Sequence, residues 1–343
     1  MDRRVRGWLE AAGRCARLAT LSIALAGGFS GAAKAAAGED PLFEIPERAE
    51  ARELAVRTYD VAFRGGDLLA ATTAGLTLYD ASNRNSPAPG ASLYFPGAAS
   101  SIAVEGRYAF VCLGPDGLRI ADVTDPAKPL LVGSLDTSGS VNDFVPLGKI
   151  GILADGVMGI AVVDLEDPAD PHEVARVDTW GYIRDLAVEE DLLAVADEEE
   201  GLRLFTIADP RRPLTRGVVP VEGLPRQVIL AGGIAYLAAG PGGLVAVDVS
   251  NPSSPRILAR IEAEDAVRGV AAAGGHLYVA DSKAGIRVFD ISTRGRLKEA
   301  GRYGNGDLMA RLAIKVGLLA AAGDSAGVLL LDLADPAAPK RFD

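Results

Sequence analysis

Cysteine, histidine and tryptophan are nearly absent from this 343-residue chain, with two of each. The cysteines are Cys15 and Cys112. Cys15 falls in an N-terminal stretch expected to be removed, so no disulfide can staple the remainder. Cys112 stands inside the apolar run YAFVCL and reads as buried strand filler. His172 lies in a Pro-His-Glu corner and His276 follows a Gly-Gly turn, both expected far apart and away from any ligand-bearing face. That excludes the ligand set of a zinc site and the base of a Ser-His-Asp triad. No glycine-rich loop ends in Lys-Ser/Thr, so there is no P-loop phosphate cradle. The apolar stretch 18–33 falls short of the ~20 residues that span a bilayer and holds Gly27, Gly28 and Gly31. No catalytic residue, metal or cofactor is assigned from these residues.

What is present begins with charge. The formal net charge is −11, and residues 1–37 hold six Lys/Arg against Asp2 and Glu10, a net +4 that leaves −15 on residues 38–343. Such a surface repels nucleic acid. Residues 1–37 read as a secretory signal peptide: a basic region to Arg17, an apolar core, then small residues around Ala33, Ala35 and Ala37. The twin-arginine signal is poorly matched after Arg3-Arg4, and Cys15 precedes the apolar core, where no lipoprotein signal puts it. The expected localisation is exported, in the periplasm, at the cell surface or outside the cell, with no membrane span after cleavage.

Seven glycines then recur 42 residues apart: Gly75, Gly117, Gly159, Gly201, Gly243, Gly285 and Gly327. A period near 40 residues with four short apolar runs per unit is the signature of a β-propeller. The expected fold is therefore all-β, a seven-bladed propeller over residues 38–343 with four-stranded blades. Gly-Gly pairs at 65–66, 232–233 and 274–275 join strand a to strand b, where a tight hairpin needs positive φ. Asp-Pro or Asn-Pro follows strand c in five units, at Asp125, Asp167, Asp209, Asn251 and Asp335, predicting a stiff corner before strand d. The sixth unit has Ser292-Thr293-Arg294-Gly295 instead, which predicts a looser corner. The seventh unit supplies strands a, b and c without a convincing d. Pro41-Leu42-Phe43-Glu44-Ile45 is the expected closing strand, which removes an open edge; residues 46–54 are the bridge into the first blade.

The phrases GLRIADVTDPAKP, GIAVVDLEDPADP and GLVAVDVSNPSSP resemble the LVIVD repeat of exported bacterial and archaeal β-propellers. The resemblance covers 60–339 and departs locally, with Thr206 at the motif aspartate of the fourth unit and Ala121 at an apolar position of the second. It implies a secreted or surface propeller, often appended to other domains, and carries no agreed catalytic residues. The Gly-His and Trp-Asp signatures of WD-type propellers are missing.

In a propeller the d–a and b–c turns share one face, around the mouth of the central channel. The residue before strand a is Tyr59, Ser100, Asn142, Arg184, Arg226, Arg268 and Ala310 in successive units; the next is Asp60, Ser101, Asp143, Asp185, Gln227, Gly269 and Arg311. Three consecutive arginines on one rim suit a carboxylate or phosphate, or else neutralise the acidic turn Asp197-Glu198-Glu199-Glu200. Asp60, Asp143 and Asp185 read as structural acids, and the Asp155, Asp281 and Asp324 turns, like the run 197–200, as solvated ones. Trp180 and Tyr182 form a Trp-Gly-Tyr turn beside Arg184, either a partner anchor or packing. The expected binding residues are Asn142, Trp180, Tyr182, Arg184, Arg226 and Arg268. The expected function is a non-catalytic binding or scaffold module of the cell envelope. Its partner is expected to be a protein or envelope component, or a small anionic ligand or glycan at the channel mouth. The alternative is a metal-dependent, lactonase-like hydrolase or lyase using acids at that mouth.

Overall fold

The computed structural model describes residues 57–342 apart from 82–83, 85–86, 305–308 and 324–326. The leader, the closing strand at 41–45, the bridge at 46–54 and Asp324 lie outside the described residues. Seven antiparallel sheets follow one another along the chain, at 58–94, 101–135, 143–177, 183–219, 227–261, 267–303 and 309–332. Six have four strands in sequence order and the seventh has three among the described residues. In the fourth blade the strands are Ile183–Glu189, Leu192–Asp197, Gly201–Thr206 and Leu214–Val219, here named a to d. The one helix among the described residues is the 3-10 turn Ser282–Ala284, so none is long and apolar enough to cross a membrane.

Each inter-blade interface holds its own apolar cluster. Leu69, Leu76, Ile102 and Val111 fill the gap between blades one and two, and equivalent clusters fill the next five. The seventh cluster joins Val61, Leu68 and Ala70 of blade one to Leu318, Ala320 and Leu330 of blade seven. The ring is thus closed by packing of blade on blade. Because both faces of a blade are covered, strands b and c are buried along nearly their whole length rather than at alternate residues.

The periodic glycines have a steric cause. All seven have φ between +71° and +108°. In six of them an added Cβ would meet the carbonyl oxygen that ends strand d, such as Val219 O at Gly201 and Ile261 O at Gly243, at under 3.0 Å. Only glycine fits both constraints. Gly327 differs: a Cβ there meets no described atom within 4 Å. Among the described residues, blade seven has the first rung of a strand d, a bridge between Asp332 and Lys340.

The Asp-Pro corners close as expected, with Lys128 N donating to Asp125 O at 3.0 Å and the aspartate carboxylate accepting from Ala127 N at 3.0 Å. The sixth corner is not looser. Arg296 N still donates to Thr293 O at 3.0 Å, and Gly295, at φ 72°, closes the turn. What is lost is the side-chain bond of the missing aspartate. Arg294 instead reaches Asp248 of blade five at 2.8 Å.

Candidate functional site

A β-bulge begins strand a and builds the channel mouth. In blade four Ile183 opposes Asp197 while Asp185 opposes Ala196, so Arg184 is the extra residue. The same skip leaves out Tyr59 and Arg268. In blades two, three and five the N–H groups of Ser100, Asn142 and Arg226 share the carbonyl already opposite the following residue. A bulge re-aims side chains, so two consecutive residues of each blade face the channel axis. The 42-residue period placed both rings correctly. Tyr59, Ser100, Asn142, Arg184, Arg226, Arg268 and Ala310 line one cavity of about 260 Å³, with Arg311 contributing from the ring beneath.

The inner ring is a circumferential hydrogen-bond belt. Asp60 accepts from Ile102 N at 3.1 Å, Asp143 from Leu186 N at 3.0 Å, Asp185 from Val228 N at 2.8 Å and Gln227 from Val270 N at 2.8 Å. Each side chain thereby ties its blade to the next. Ser101 donates to Asp143 at 2.7 Å and Arg311, from blade seven, pairs across the channel with Asp185. One guanidinium faces three buried carboxylates. Burial pushes Asp185 up to about 8 against the pull of Arg311, and burial likewise raises Asp60. Burial works against the charge of Arg311 too, yet Asp185, Asp60 and Asp143 together hold its pKa above the ordinary value. Arg311 therefore stays charged, while Asp185, at about 8, keeps its proton at neutral pH. The three aspartates are structural acids here. Among the described residues no group of three His, Cys, Asp or Glu is arranged to hold a metal ion, and the oxygens a metal would need accept N–H and O–H groups instead.

The mouth arginines are not equivalent. Arg184 donates to Glu198 at 2.5 Å and stacks on Tyr182, 4.5 Å from the ring centroid. Arg268 donates to the Ser282 hydroxyl at 3.1 Å. Among the described residues Arg226 has no hydrogen-bond or ion-pair partner. The cause lies in the b–c turns, where blade four offers Glu198 and blade six Ser282 but blade five offers Gly240. Comparing those turns at the 42-residue period is the signal that finds this difference. Burial first, then the neighbouring charges of Arg184 and Arg268, hold the Arg226 guanidinium below its usual pKa against the pull of the Glu198 carboxylate.

The other expected residues divide. Asn142 donates to Ile183 O at 2.7 Å and accepts from Ser140, a committed inter-blade tie. Tyr182 is half-buried, its N–H bonded to Glu199. Trp180 is 92% exposed on the rim and has φ 61°. In the b–c turns the leading aspartates are not solvated as composition suggests, whereas Glu199 and Glu200 of the run 197–200 are exposed. Asp155, Asp197 and Asp281 are wholly buried and pair with Arg176 at 2.9 Å, Arg203 at 2.8 Å and Arg287 at 3.1 Å. The turn geometry points each carboxylate inward, where Asp281, for one, accepts from the d–a loop at Glu264 N.

His172 and His276 sit on the opposite face, bonded to Asp170 O and Gly274 O within their own turns. That face also carries a larger depression of about 500 Å³ between blades four and five, bordered by Thr206 where the motif aspartate is missing. Blades three and five join their successors through that aspartate, Asp164 to Arg211 and Asp248 to Arg294, both at 2.8 Å. The depression opens where this tie is absent.

The family model of the LVIVD repeat matches residues 96–137, 139–179, 222–262 and 266–305, which are blades two, three, five and six. Blade four, with Thr206, falls outside the matched residues. No curated protein matches the chain. Among solved structures the chain is similar to the computationally designed Ika8 protein, at 11% identity and a TM-score of 0.59, covering 81% of this chain and 96% of that one. That likeness speaks to the fold alone. The chain thus carries four LVIVD repeats in a ring of seven blades.

Proposed function

We propose that this protein is an exported, non-catalytic binding module of the cell envelope, and that its ligand presents an anionic group, a carboxylate or phosphate, to the channel mouth. The observation that carries the reading is Arg226, a guanidinium without a partner among the described residues, between two other arginines in a concave site. Three like charges at one rim repel one another, and an anion between them relieves that repulsion. The basic mouth sits on a chain of net charge −11, so the surrounding field deflects anions elsewhere and admits them here. Export rests on the leader in the sequence. The belt of inter-blade bonds supplies rigidity, and the turns supply contacts.

Isothermal titration of the full chain with glutarate and with inorganic phosphate tests this. At least one should bind saturably, and Arg226→Gln should weaken it about tenfold or more, the scale of a lost charge-assisted pair. Binding that is indifferent to Arg226→Gln, or absent for both anions, would overturn the proposal.

A further inference from the structure

The mouth is ringed on one side by apolar side chains that the cavity does not use. Trp180 is 92% exposed, Val157 67% and Leu224 41%, and none of them lines the cavity. All three stand in turns of the mouth face. Ile183 N donates to the carbonyl of Gly156, just before Val157, at 3.1 Å and so fastens the b–c turn of blade three to the turn bearing Trp180 and Tyr182. Leu224 precedes Arg226 by two residues. Tyr182 lies under Arg184, which lines the cavity together with Arg226 and Arg268. Large apolar groups left in water beside a charged pocket mark a partner surface rather than a small-molecule site. The cavity itself has room for about nine waters, at a liquid share of roughly 30 Å³ each. That fits one carboxylate side chain, and a ligand confined to it would leave Trp180 untouched.

Resting on the anion reading above, we propose that the mouth face docks a polypeptide partner. The partner inserts an aspartate or glutamate side chain at Arg226 and Arg268 and lays a neighbouring apolar residue on Trp180, with Val157 and Leu224 excluding water around the contact. Charge complementarity selects the occupant. An acidic segment is repelled by most of this chain's surface and accepted where three arginines converge.

The test is a selection of phage-displayed random heptapeptides on the full chain, followed by affinity measurements on the enriched peptides and on glutarate. Enriched peptides should share an Asp or Glu beside a large apolar residue. Trp180→Ala should weaken them about tenfold or more, as for an interface anchor, and leave glutarate binding and the melting temperature unchanged. Arg226→Gln should weaken both ligands. If glutarate binds but the peptides lack an acid, or Trp180→Ala leaves their affinity unchanged or weakens glutarate equally, the docking inference falls while the anion reading stands. If neither glutarate nor inorganic phosphate binds and no acidic peptide is enriched, both fall.

Discussion

Replacing a periodic glycine with alanine should cost very different amounts at two positions of nearly identical backbone conformation. Gly243 and Gly327 have φ of 79° and 71°. Alanine at either must adopt the left-handed region, at about 1–2 kcal/mol. At Gly327 the new methyl meets no described atom within 4 Å, so Gly327→Ala should lose only that. At Gly243 the methyl would stand under 3.0 Å from Ile261 O and must push strand d of its blade outward. Overpacking of that kind adds about 1–3 kcal/mol, bringing Gly243→Ala to about 2–5 kcal/mol. Urea denaturation of the two variants beside the parent chain measures the difference directly. Equal, small losses would refute the assignment of the periodic glycine to the strand-d carbonyl. Equal, large losses would refute the claim that Gly327 is sterically free.

Arg311→Met should destabilise the protein by about 3–5 kcal/mol, the scale for breaking a buried pair, and by more at pH 8.5 than at pH 5. Asp185 stands at about 8 in the folded state against an ordinary 3.8. A carboxyl raised on folding contributes its stability in full below the ordinary value and loses it as pH rises toward the raised one. Without Arg311 the ring must ionise with no counter-charge; an equal loss at both pH values in urea titrations would contradict this. Cys112 is buried, and burial lifts its thiol well above the usual range, so a thiol reagent should label it only in denaturant. Labelling of Cys112 itself, mapped separately from Cys15, at the free-thiol rate in the native protein would show that the strand is open.

Much of this architecture was legible because a propeller repeats its geometry with its sequence. Once the glycines were in register, the residues before strand a identified the mouth, and the residues after them the inner ring. The period carries position but not pairing. Arg184, Arg226 and Arg268 look alike in sequence, and their difference comes from Glu198, Gly240 and Ser282 on another turn. Asp155, Asp197 and Asp281 looked solvated because turns are polar by composition, whereas the bend after strand b aims them into the interface below. The tie from Arg311 to Asp185 joins residues 126 apart, across the channel rather than along the ring, and no repeat signal reports it.

The central claim is that the channel mouth holds an anion at Arg226. Crystals of the full chain grown with selenate, whose anomalous scattering locates the ion, test it most directly. The account predicts an anomalous peak within hydrogen-bond reach of the Arg226 and Arg268 guanidiniums. Selenate found only elsewhere, or Arg226 seen paired with a carboxylate of the chain itself, would contradict it.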